Sequence, residues 1–138
     1  MHSFDVVSNT TEPQVNARGT TRAGLLVAAI KGMHAVVHPT FFEKEGEREL
    51  TFSIKADDFT GLFNELMKIA IALSKEKQEV YTDVRFDLIT DKEAKGALIG
   101  KPFVSTDVTI NAASANGDTI EKNTEGMWEA TVTFEAKN

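Results

Sequence analysis

Phe4-Asp-Val-Val-Ser-Asn-Thr-Thr-Glu-Pro-Gln-Val-Asn-Ala-Arg-Gly19 is the stretch on which the rest of the chain is organised. It alternates apolar and polar residues, breaks at Ser8 to Pro13, then resumes and stops at a glycine. Period-two alternation on either side of a polar break predicts two strand segments joined by a tight connection. The break gathers an amide, two hydroxyls and a carboxylate between Asn9 and Glu12. An oxygen-rich cluster of this kind suits a backbone turn or a hard cation, and by composition alone the turn is the simpler reading.

Working outward, Thr20-Thr21 offers a helix N-cap. Leu26, Ala29, Ile30, Met33, Val36 and Val37 then recur at helical spacing, predicting an amphipathic helix over about 21–37 that Pro39 cannot continue. Gly24 and Gly32 inside it each cost about 1 kcal/mol relative to alanine. Close approach to another backbone would account for them. Residues 43–49 read as a charged, solvated loop, and Leu50, Phe52 and Ile54 as one face of a strand. Asp57-Asp58 caps a second helix whose apolar stripe runs from Phe59 to Leu73, and Ser74 to Gln78 ends it in water. Val80 to Ile89 alternates again, burying either Val80, Thr82, Val84, Phe86 and Leu88 or the opposite set. Strands follow over Ala94 to Ile99, closed by Gly100, over about Thr106 to Ala112, and over Met127 to Ala136; the Asn116-Gly117 pair marks a hairpin turn. This order predicts an α+β two-layer sandwich: a mixed or antiparallel sheet of about six or seven strands carrying two helices on one face.

The bulk numbers narrow the function classes. At 138 residues and 15.1 kDa the chain fits a single domain spanning 1–138. A net charge of −6 argues against an autonomous nucleic-acid binder, because phosphate contacts need clustered Lys and Arg. The absence of cysteine removes disulfides, thiolate catalysis and Cys-based zinc sites. The N-terminal residues carry no export signal and no apolar run is long enough for a membrane span, so a soluble, cytoplasmic protein is expected.

Several chemistry-bearing residues have plain structural readings. His34 and His38 have the spacing of two ligands on one helical face, but Ala35 stands where a zincin glutamate would be, and histidines are favoured near a helix C-terminus in any case. Asp57-Asp58 is explained by capping, and Trp128 by core anchoring through its flat face. Asn9-Thr10-Thr11 matches a glycosylation acceptor, which has no meaning without export. No Gly-rich phosphate loop and no nucleophile–base pair can be assembled, so no enzymatic activity is expected.

The chain resembles the archease family. The family's His-Thr-Ala-Asp-Ile motif aligns with Asn9, Thr10, Thr11, Glu12 and Pro13, and the strand and glycine that follow it align with Val15 to Gly19. Asp58 to Leu73 is similar to the family's second helix, and Gly100-Lys101-Pro102 to its Gly-x-Pro step. Ser105 to Asn111 loosely matches the strand Val-Lys-Ala-Val-Thr-Tyr-His, and Met127 to Glu135 the closing Gly-Trp-x-x-x-Val-x-Phe-Asp string. The resemblance covers about residues 4–136. It implies an accessory protein, a cofactor or chaperone that promotes guanylylation and turnover of a GTP-dependent tRNA-splicing RNA ligase, with that ligase as protein partner and no direct nucleic-acid contact. It also implies a divalent cation, Ca²⁺ or Mg²⁺, on Glu12 and Glu135 with Asn9 and Asn111 beside it. Both family aspartates are glutamates here and both family histidines are asparagines, so every donor is an oxygen, as those ions prefer. Thr106 and Ile110 replace the family's lysine and tyrosine, and Ile69 and Ala72 replace a glutamate and an aromatic in the second helix. These departures define the alternative, a divergent member of the fold acting as a binding or scaffold protein without the ligase role.

Overall fold

A computed structural model describes residues 2–7, 13–37, 39–41, 48–106, 109–115, 120 and 122–137. The opening stretch forms an antiparallel pair, β1 (His2–Val7) and β2 (Gln14–Gly19), with register running from His2↔Gly19 to Val7↔Gln14. The expected connection between them, Ser8 to Glu12, lies outside the described residues. Alternation along β2 is complete: Val15 and Ala17 are buried, whereas Gln14, Asn16 and Arg18 are half-buried.

Helix α1 (Arg22–Val37) starts where expected, because the Thr21 hydroxyl accepts from Gly24 N–H at 2.9 Å and its carbonyl from Leu25 N–H at 3.0 Å. The anticipated backbone approach is met at the start of the helix, whereas at Gly32 the neighbour is a side chain. A Cβ on Gly19 would collide with the backbone of Gly24 and Leu25, and a Cβ on Gly32 with Val15 Cγ1. Helix and strand therefore touch at their backbones where Gly19 meets Gly24, and Gly32 makes room for the Val15 side chain. Leu25 and Ala28 fall outside the apolar stripe yet are fully buried, because α1 lies against β1 and β2 and is also contacted by α2 and β5.

After the short strand β3 (Pro39–Phe41), which alternation did not mark, come β4 (Arg48–Lys55) and α2 (Phe59–Lys77). Asp58 is the α2 N-cap, its carboxylate accepting from Gly61 N–H at 2.7 Å. Gln78 closes the helix in the left-handed region at φ 54°. Then follow β5 (Glu79–Ile89), β6 (Glu93–Thr106), β7 (Thr109–Ala115) and β8 (Trp128–Lys137).

The α+β class and the antiparallel pairing are as expected. The strands, however, number eight among the described residues and divide into two sheets, β1-β2-β8-β7 and a second in which β6 pairs with β3, β4 and β5. Each helix touches strands of both sheets, so the helices are shared between them. Gly100 does not close β6, which runs on to Thr106 and lends its far end to β3. The two alternative burial sets of β5 are both partly right. Register shifts at Tyr81/Asp83 and Phe86/Leu88 turn the strand over, so Val80 and Val84 face the core, Leu88 is exposed and Ile89 packs inward.

Candidate functional site

Strand β8 crosses the first sheet between β2 and β7, and its two ends carry the polar chemistry. At the C-terminal end the alternation places Phe134 fully inside and Glu135 exposed on the outer face. Phe134 N–H donates to the Pro13 carbonyl at 2.9 Å, and Gln14 is paired with Thr133, with a side-chain contact of 3.4 Å between Gln14 Nε2 and Thr133 Oγ1. The residue that follows Glu12 in the chain is thus bonded to the residue that precedes Glu135. On the other side β7 carries a bulge: Ile110 pairs with Ala136 and Ala112 with Glu135, leaving Asn111 as the extra, unpaired residue between the two pairs.

Of the four residues expected to form a cation site, Glu135 pairs with Ala112 and Asn111 is the unpaired bulge residue before Ala112 on the neighbouring strand, whereas Asn9 and Glu12 lie outside the described residues. Among the described residues no three His, Asp or Glu side chains come together in a metal-binding group. His34 sits in the last turn of α1, as the dipole reading expects, and His38 lies outside the described residues.

Between the two ends, the outer face of the sheet is polar and internally paired. Arg18 pairs with Asp5, and the Thr131 hydroxyl donates to Asn16 Oδ1 at 2.8 Å. A depression of about 430 Å³ over this face includes Arg18, Glu129 and Ile120 in its lining.

At the N-terminal end of β8, Trp128 packs against the core and meets Phe59 edge-on, with ring centroids 5.2 Å apart at 67°. The Arg22 guanidinium lies 4.9 Å from the Trp128 ring centroid and 6.0 Å from that of Phe59, and its Nε pairs with Asp91 Oδ1 at 2.5 Å. These residues wall a cleft of about 490 Å³. Core anchoring by Trp128 was legible in the sequence, but Arg22 was not. Nothing near a helix N-cap marks an arginine as destined for an indole brought in from residue 128.

One buried acid also went unremarked. Glu79 is 5% exposed at the start of β5, and the Tyr81 hydroxyl lies 3.5 Å from its Oε1. Burial first, and the Glu79 charge second, push the Tyr81 phenol well above its ordinary value.

The sequence profile of the archease protein family (MTH1598/TM1083) matches residues 4–135. The chain belongs to the archease family. The solution structure of Methanobacterium thermoautotrophicum protein 1598 shares the fold, with a TM-score of 0.61 at 15% identity over 96% of this chain and 97% of that one. No curated protein matches the sequence. Archeases are accessory proteins that act with a partner rather than catalysts in their own right. Among the described residues no helix is long and apolar enough to cross a membrane.

Proposed function

We propose that this archease is a non-enzymatic cofactor of a GTP-dependent tRNA-splicing RNA ligase, acting through a divalent cation held by Glu12 and Glu135 with Asn9 and Asn111 beside them. The bond from Phe134 N–H to the Pro13 carbonyl carries this reading, because it ties the backbone beside one glutamate to the backbone beside the other. The bulge at Asn111, next to the Ala112–Glu135 pair, supports it, since it brings a third position to the same sheet end. The donor chemistry fits: two carboxylates and two amide carbonyls are hard oxygen ligands suited to Ca²⁺ or Mg²⁺. When bound, the ion would supply positive charge at an otherwise acidic edge. The chain's own residues position that edge, and the net charge of −6 steers it toward a basic partner surface.

A guanylylation assay of a GTP-dependent RNA ligase, with and without this protein, tests the reading. The expected result is faster guanylylation and multiple turnover, lost with Glu135→Gln. No acceleration and no co-purifying ligase would count decisively against it. The scaffold alternative draws on Ile110, which replaces the family's tyrosine and is buried at 6% exposure, presenting nothing to a partner. That alternative predicts cation binding without acceleration of any ligase.

A further inference from the structure

The cleft at Trp128 is separate from the site at Glu135: seven residues of extended strand, roughly 23 Å, lie between them. Its walls are element ends. Arg22 opens α1, Phe59 opens α2, Trp128 opens β8, and Asp91-Lys92 form the turn between β5 and β6.

Half of its charged side chains are already engaged. Arg22 is held by Asp91 and by two aromatic rings, and the Asp58 carboxylate caps α2. Three remain: Asp57, Lys92 and Lys122, all exposed and none in an ion pair with a described residue. The cleft therefore combines a fixed indole–guanidinium platform with two ammonium groups and one carboxylate at its rim. Such a platform accepts planar heterocycles through stacking and cation–π attraction, with little regard to their identity. Two unengaged ammonium groups beside it attract an anion. The volume of about 490 Å³ is that of a small-molecule site.

We propose that this cleft binds a nucleoside monophosphate. The heterocycle lies against Trp128 and Arg22, the phosphate takes Lys92 and Lys122 as partners, and Asp57 accepts from a base amine or a sugar hydroxyl. A single nucleotide asks for two cations rather than the basic surface that a nucleic-acid strand would need, so the overall acidity is no obstacle. The proposal stands apart from the ligase reading and does not depend on it.

Trp128 is the only tryptophan in the chain, so its emission reports on this cleft alone. AMP and GMP would be titrated separately, with adenosine and inorganic phosphate as controls that divide the ring from the anion. The expected result is saturable quenching by at least one monophosphate, with adenosine about tenfold weaker. Inorganic phosphate should leave the indole emission unchanged. The double reversal Lys92→Glu/Lys122→Glu, with its melting temperature checked, should weaken nucleotide binding about tenfold or more. Three results would each overturn the proposal: no saturable change up to about 5 mM of either nucleotide, adenosine binding as tightly as the monophosphates, or unaltered affinity in the folded double variant.

Discussion

The two ends of β8 solve opposite problems. At Trp128 the protein closes on itself, as an indole, a phenyl ring, a guanidinium and a carboxylate from four different elements engage one another. At Glu135 the described support comes chiefly from the backbone. The bond from Phe134 to Pro13 and the bulge at Asn111 fix the chain, and the carboxylate is left exposed. Substitutions among the interlocked side chains of the first region should therefore register in stability, whereas loss of the Glu135 carboxylate should register in binding. Buried backbone contact and exposed acidity belong together at the second end, because a ligand site needs rigid support beneath side chains that remain free to coordinate.

The sharpest way to break this contrast is to remove the support under Glu135. Phe134→Ala deletes a fully buried ring beside it and should cost about 3–5 kcal/mol, measured by denaturant unfolding. A cost below about 1 kcal/mol would show that this end is loosely packed after all. Gly19→Ala attacks the other end, where Gly19 pairs with Trp128. The added Cβ meets the backbone of Gly24 and Leu25, which cannot swing aside, so a loss of about 3 kcal/mol is expected.

Tyr81 gives a test by pH that involves neither end. Its folded-state phenol ionises well above the ordinary value of 10.0, so its contribution is fully present below that pH and is lost as pH rises past it. Stability should fall by about 1 kcal/mol over the first unit above the ordinary value, beyond the fall seen in Tyr81→Phe. Tyr81 is the only tyrosine, so ultraviolet absorbance follows its ionisation without interference. Asp58→Ala removes the α2 cap and should cost about 1 kcal/mol. Glu135→Gln in cation-free buffer should change stability by less than about 0.5 kcal/mol, because the side chain is exposed.

Local chemistry made much of the fold legible. The β1–β2 pair, both helices with their Thr21 and Asp58 caps, and the alternation in β4 and β8 follow from period and capping alone. Division into two sheets was not legible, because strand order depends on which edges meet and alternation says nothing of that. The bulges in β5 were hidden for the same reason. They are set by pairing with β6 and leave both burial sets half satisfied. Of the candidate site, Glu135 and Asn111 were named through family resemblance alone, and the bulge that leaves Asn111 unpaired beside the Ala112–Glu135 pair has no signal in the sequence. The Arg22–Trp128 contact joins residues more than a hundred positions apart, and no spacing rule reaches that far.

A cation titration read by thermal unfolding tests the central claim most directly, with calcium and magnesium compared on the natural chain, Glu12→Gln and Glu135→Gln. A shared ion binds only the folded state, so an ion concentration a hundred times its Kd should add about 2.7 kcal/mol and raise the melting temperature by roughly 10 °C. The account predicts that rise for the natural chain and its loss in either variant. No rise at about 10 mM of either ion, or an equal rise in both variants, would contradict it.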